Sequence, residues 1–314
     1  MIPEDAATNI IQAAIEKSVV MSMAKKQRMS RSQRRLPVLS LNPTAEWLEA
    51  DTGLKSTSEI AWNNIFLNVA ELAIIIPISE NLLADSDLDL GEQVEPKVAE
   101  AFAAKIDAAI LFGVNKPTVW PDSLSEHAIA AGNTVTQGAG VDIAADINNV
   151  LAAVEADGFT VDGIAMRQSL RASLRGLRST TNEFIFKPGD PGAENTTFGK
   201  GDGGRRGHIF DVPAQAVLNG SFEEHDLATA NATKLLAGDW DQVLIGIRQD
   251  MTVRRFTEGS IHNAQGELMF NLMQQDMIAL RFVMRLAYAL ANPLTRINGT
   301  EATRSPFAVL RDAA

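Results

Sequence analysis

The sequence predicts an α+β fold, and three observations carry that reading. A long amphipathic helix follows directly on a buried strand between Leu72 and Gly113. From Asp142 onward short helices and strands mix without the regular βαβ alternation of a parallel sheet. Beyond Lys234 the apolar and polar positions alternate as in sheets that bury one face.

Taken in order, Ile10 to Val20 (IIQAAIEKSVV) places Ile11, Ile15 and Val19 on one side of a helix. That helix is too short to hold in water without a partner. Between Ser22 and Arg35 stand Lys25, Lys26, Arg28, Arg31, Arg34 and Arg35 with no acidic residue. Such a run reads as a solvated basic arm, or as an arm that engages acidic surfaces or faces a nucleic-acid backbone. Leu36 to Leu41 and Ile60 to Val69 read as strands joined by the polar segment NPTAEWLEADTGLKSTSE. A connection of that length makes a projecting hairpin. Trp47 and Leu54 lie in its tip with little local sequence to bury them, which points to an interface.

Leu72 to Ile78 is a buried strand by its continuous apolar run. Asp89 and Glu92 have the spacing of a capping box at a helix start. Val94, Val98, Phe102, Ile106 and Ile110 then recur every four residues along one face, while Glu95, Ala99, Ala103 and Asp107 fall on others. Gly113 stands where a left-handed cap belongs. From Asp89 to Phe112 the helix would be about 36 Å long. Pro96 predicts a kink, or a start at Glu95.

After this helix, Val114 to Gly140 reads as loop, with Pro117, Pro121, Gly132, Gly138 and Gly140. Asp142 is an N-cap for a helix that turns Ile143, Ile147, Val150, Leu151 and Val154 inward and stops at Gly158. Gly163 to Met166 is a strand, followed by a helix carrying Leu170, Leu174 and Leu177. Asn182 to Lys187, His208 to Val212 and Ala216 to Leu218 read as further strands. Leu235–Ala237, Val243–Arg248 and Met251–Phe256 are clearer strands. Met269 to Leu290 fits either a helix, through Leu272, Met277, Leu280 and Met284, or a buried strand over Val283 to Leu290.

These motifs resemble the tailed-phage major capsid proteins of the HK97-like (Hong Kong 97) fold. In that family a strand, an S-x-E-L-L-x-D-S turn and a long spine helix closing in D-x-A-x-L-x-G follow one another. Ser79, Glu80, Leu82, Leu83, Asp85, Ser86, Asp107, Ala109, Leu111 and Gly113 occupy these places, with Asn81 an insertion-like departure. GDW followed by GIRQDMTV, through Gly238, Asp239, Trp240, Gly246, Arg248 and Val253, is similar to the family's aspartate–aromatic turn into paired strands. Pro306, Phe307 and Leu310 resemble its closing motif at shortened spacing.

Composition excludes much other chemistry. Zero cysteines exclude disulfides and thiolate catalysis, and four scattered histidines lack metal spacing. A net charge of −11 argues against a dedicated nucleic-acid reader. There is no apolar run of membrane-spanning length and no basic–apolar leader at the start. No G-x-S-x-G elbow or H-E-x-x-H pair occurs. Lys187 to Gly207 is glycine-rich, but Gly192 and Gly199 are wrongly spaced for a phosphate loop and Gly201 follows Lys200. Asp85, Asp87 and Asp89 alternate as in a calcium loop, yet Leu90 and Pro96 replace its glycine and glutamate. No cofactor, metal or catalytic residue is expected.

The resemblance implies an N-terminal arm over 1–35 and an extended β-hairpin loop over 36–72. It implies a peripheral domain with the spine helix over 73–125 and 246–285, and an axial α+β domain over 126–245 and 286–314. It implies a non-enzymatic major capsid protein that self-assembles as hexamers and pentamers into an icosahedral shell around phage double-stranded DNA. An encapsulin-like shell enclosing cargo enzyme is the alternative, distinguished by what copurifies. A separate scaffolding protein and a portal are the implied partners, since only about 35 residues precede the hairpin. Trp47, Leu54, Arg28, Arg31, Arg34 and Arg35 are the expected inter-subunit contacts. Some family members join subunits by a lysine–asparagine bond with a glutamate as base. Lys55 and Asn263 (or Asn271) stand in the corresponding regions, with Gln274, Gln275 and Asp276 where the glutamate is sought.

Overall fold

The computed structural model describes residues 18–43, 47, 57–81, 90–177, 206–228, 232–263 and 265–312. Two sheets organise the chain. The first has the order β1-β9-β12-β3-β2, formed by Lys25–Arg28 (β1), Gln33–Leu41 (β2), Ala61–Ser79 (β3), Val243–Phe256 (β9) and Met277–Leu290 (β12). Its long strands pair antiparallel, and β1 joins β9 in parallel. Alternation decides the two faces. Leu72, Ile74 and Ile76 share one face with Phe282, Met284 and Leu286, and this face packs on the long helix α2 (Leu90–Phe112).

The second sheet has the order β4-β13-β8-β5-β7-β6. Its strands are Thr134–Thr136 (β4), Gly163–Arg167 (β5), Arg206–Ile209 (β6), Val212–Val217 (β7), Thr233–Gly238 (β8) and Phe307–Arg311 (β13). Leu235, Ala237, Ile164, Met166, Ala308 and Leu310 pack on one side against helix α4 (Ile143–Ala156) and helix α5 (Gln168–Gly176). Leu236, Ala165, Phe307 and Val309 pack on the other against the cluster around α2. Burial on both faces explains why these strands are short continuous apolar runs. Phe210 and Asp211, both at positive φ, make the two-residue turn between β6 and β7.

The sequence reading of α2 holds in its apolar face. Val98, Phe102, Ile106 and Ile110 are buried, and Gly113 takes φ +74° with the N–H of Val114 folding back to the Ala108 carbonyl. The expected start at Glu95 is corrected. The helix begins at Leu90 and runs through Pro96, and Val94 on the N-terminal side of the proline already packs on the core cluster. Ala99, Ala103 and Asp107, placed on other faces, are buried as well. Helix α1 (Val19–Met23) covers that side, and the small alanines let it approach.

Other expectations change. Residues 18–35 of the basic arm are not a solvated tail, because Val19, Val20, Met21 and Ala24 are buried and β1 and β2 belong to the first sheet. The strands over Ile60–Val69 and Leu72–Ile78 are one strand of 19 residues. Val243–Arg248 and Met251–Phe256 are likewise one strand, bulged where its register with β12 shifts. Val114–Gly140 is not all loop. Ser123 and Glu126 form a reciprocal capping box for helix α3 (Leu124–Ala131), and β4 follows. The Met269–Leu290 ambiguity resolves to strands, Leu268–Asn271 (β11) pairing with Ser260–His262 (β10), and then β12. A helix α6 (Ser221–Ala228) completes the fold. The Asp89–Glu92 cap, the Asp85–Asp89 run, the Asn182–Lys187 strand and most of the glycine-rich segment lie outside the described residues.

Candidate interaction surfaces

The projecting hairpin is built from β2 and β3. Ala61–Leu67 pairs with β2 alone, Asn68 with both β2 and β12, and Val69–Ser79 with β12 alone. At roughly 3.3 Å per residue, β3 spans about 60 Å, so its first third runs on beyond the pairing with β12. Trp62 and Phe66, on one face of this two-stranded stretch, are 62% and 45% exposed. The base is anchored by Trp120, whose indole N–H donates to the Asn68 carbonyl at 3.1 Å and whose ring meets Tyr288 edge-on. Burial holds the Tyr288 hydroxyl well above the usual phenol range, and it donates to the Asp122 carbonyl.

The sequence-predicted residues that the structure describes fall on separate elements. Trp47 is fully exposed at the hairpin's end, and Leu54 and Lys55 lie outside the described residues. Arg28, Arg31, Arg34 and Arg35 are exposed along β1, β2 and their connection, which the fold separates onto opposite edges of the first sheet. Asn263 sits in the β10–β11 turn. Its carbonyl oxygen accepts from the N–H groups of Gln265 and Glu267, and its amide donates to Glu267 Oε2 at 2.9 Å. Glu267, four residues beyond Asn263, is a carboxylate beside that amide.

Sequence reasoning missed a buried polar junction. Asp107 is completely buried on α2. One carboxylate oxygen accepts from Ser18 Oγ at 2.6 Å and the Val20 N–H at 3.1 Å. The other accepts from the Val19 N–H at 3.0 Å and Asn219 Nδ2 at 2.6 Å. Burial pushes its pKa up to about 6, against the pull of the hydrogen bonds from Ser18, Val19, Asn219 and Val20. At neutral pH the ionised form caps α1. Asp107 lies off the face that carries Val98 to Ile110, and its place in the D-x-A-x-L-x-G motif was the signal the sequence offered.

A second polar set closes the turn at β8. Asp162, Asp239 and Asp241 bring carboxylate oxygens within 4.8 Å of one another. Each has local work. Asp162 accepts from the Trp240 N–H, Asp239 from the Asp241 N–H and Gln242, and Asp241 pairs with Lys25 at 3.1 Å. Burial, then the carboxylates of Asp239 and Asp241, hold Asp162 above the usual range. A cleft of about 540 Å³ opens beside the hairpin base, lined by Asn64, Phe66, His127, Asn292 and Arg304 among others. His127 contacts the Ser305 hydroxyl at 3.0 Å, and burial lowers its pKa. Ser305 is buried and already accepts from the Phe307 N–H, so this pair tethers β13.

Comparison with known proteins agrees with this architecture. Residues 1–203 match the phage capsid family. The chain is 25% identical over 288 residues to the major capsid protein of Staphylococcus phage 80alpha, covering 91% of this chain and 80% of that one. It superposes on a chain of Microbacterium phage Oxtober96 with a TM-score of 0.77 and 37% identity, covering 95% of this chain and 91% of that one. A chain of Mycobacterium phage Adephagia gives 0.75 and 26%, covering 95% and 90%.

Proposed function

Because the chain belongs to the phage capsid family and is a major capsid protein of the virion shell, we propose that it assembles as hexamers and pentamers. The observation that supports this reading is the exposed apolar stretch of the projecting hairpin. Trp62 and Phe66 stand on a two-stranded ribbon with no third strand to cover them, which suits a clamp on an adjacent copy. In this reading residues 73–125 and 246–285 act as a peripheral domain, and 126–245 with 286–314 as an axial one. The shell encloses double-stranded DNA and is completed in the host cytoplasm with a separate scaffolding protein and a portal.

The exposed arginines Arg28, Arg31, Arg34 and Arg35, together with Trp47 and Leu54, are proposed inter-subunit contacts. Lys55 is the proposed cross-link partner of Asn263, with Glu267 as the base. The lysine amine would displace ammonia from the asparagine side chain to leave an amide.

Electron microscopy of the purified protein, with its mass in solution, tests the assembly. Closed angular shells or capsomer rings are expected. A chain that stays near 34 kDa at high concentration, with scaffold present, would sink the reading. On a denaturing gel, cross-linking gives a ladder of multiples that Asn263→Ala removes.

A further inference from the structure

The face of the first sheet that points away from α2 is half covered by the chain itself. Between β1 and β2 the backbone crosses this face, and Met29 lies over Gly246 and Ala287, with Leu67 and Ala289 beneath the same cover. Beyond that crossing the face is open. Ile75 is 48% exposed at its centre. Register puts Arg281 directly beside Ile75 on one side and Arg254 on the far side of Arg281. Arg285 lies further along the same face, opposite Glu71, whose carboxylate is 3.5 Å away.

This arrangement is costly for an isolated subunit. Like charges directly opposite one another on neighbouring strands repel, as Arg254 and Arg281 do. The Arg281 guanidinium stacks over the Phe256 ring at 4.9 Å, and its Nε is shielded from solvent without an acceptor among the described residues. Among the described side chains at these open positions, Glu71 is the one acid facing three arginines.

We propose that this open half-face docks a carboxylate-bearing surface of a second copy of the chain, with Ile75 as its apolar centre and Arg254, Arg281 and Arg285 as its charged rim. The proposal rests on the shell-forming reading above. Charge complementarity selects the occupant, because the chain carries 39 acidic against 28 basic residues and each copy therefore offers acidic surface. An apolar centre with a polar rim is the layout of a protein interface. A nucleic-acid backbone would be held by the arginines alone and would leave Ile75 uncovered.

The chain has no cysteine, so Ile75→Cys, with Thr252→Cys as a second position on the face, supplies a unique thiol. The measurement is its reaction with a bulky maleimide in unassembled subunits and in closed particles. Labelling should slow about tenfold or more on assembly, as at a buried interface. The pair Arg254→Glu and Arg281→Glu should lose shells while the unassembled subunit keeps its thermal transition. Equal labelling in closed shells, or normal shell yield from the double variant, overturns the proposal. So does protection that disappears when nuclease strips nucleic acid from opened particles, since the partner is then a polyanion. Absence of shells from the unsubstituted chain with scaffold present overturns the shell reading itself, whereas shells in which the introduced thiol stays open to the maleimide overturn only the docking.

Discussion

Asp107 on the long helix accepts a 2.6 Å hydrogen bond from the hydroxyl of Ser18, 89 positions earlier in the chain. Ser18 in turn accepts from the Met21 N–H, so the N-cap of α1 is itself held by a buried carboxylate. Removing the carboxylate strands the N–H groups of Val19 and Val20 and the amide of Asn219 in the interior. Each such donor costs about 1–3 kcal/mol when left unmatched. Asp107→Ala is therefore expected to lower stability by more than about 3 kcal/mol. Denaturant unfolding measures the loss, and hydrogen exchange should show Val19 and Val20 in α1 losing protection before α2.

The same residue gives a pH dependence of defined sign. Its folded value of about 6 lies above the ordinary 3.8, so the folded chain holds this proton more tightly than the unfolded one. The contribution is fully present below the unfolded value and is lost as pH rises through the folded one, amounting to about 3 kcal/mol. Asp107→Asn cannot titrate. The stability of the native chain minus that of the variant should therefore fall between about pH 4 and pH 7. A difference that stays flat over that range would exclude a raised value at Asp107.

Two glycines separate backbone obstruction from side-chain obstruction. A Cβ on Gly238 would strike the Pro306 carbonyl and the Phe307 ring, both fixed by the β8–β13 pairing. A Cβ on Gly246 would strike the Met29 thioether, the end of a flexible chain that can swing aside. Gly238→Ala should cost about 3 kcal/mol or more and Gly246→Ala about 1–2 kcal/mol, in line with overpacking of a fixed against an adaptable neighbour. Met29→Ala combined with Gly246→Ala should recover part of the second loss, measured as a double-mutant cycle.

What the sequence made legible was periodic. The four-residue recurrence from Val98 to Ile110 and the Asp142 cap, whose side chain accepts from the Ala145 N–H, both stand in the structure. What it concealed was long-range. Nothing local to Asp107 says that residues 18–20 return to it, and nothing in KKQR says that it lies parallel to Val243–Phe256 as an edge strand. Helix α3 was written in its Ser123–Glu126 cap, but the prolines and glycines around it outweighed a signal of two residues. The split of β9 into two strands came from its bulges, which shift the alternation so that Met251 faces the core. The basic face is visible only through register, since Arg254 and Arg281 are 27 positions apart in sequence.

The hairpin offers the sharpest separation of folding from assembly. Trp62 lies in the stretch of β3 that only β2 supports, and its side chain is 62% exposed. Little apolar area is withdrawn from water there within one subunit, so Trp62→Ser should move the unfolding free energy by no more than about 0.5 kcal/mol. If the hairpin clamps a neighbour, the same indole is buried in the shell, where aromatic anchors carry more than about 2 kcal/mol each. Repeated around every capsomer, that loss should abolish closed particles while leaving a folded subunit. Calorimetry of the unassembled chain and particle yield by sedimentation give the two readouts. A destabilised subunit would place Trp62 in the fold rather than the interface, and normal particles from Trp62→Ser would remove the hairpin's role as a clamp.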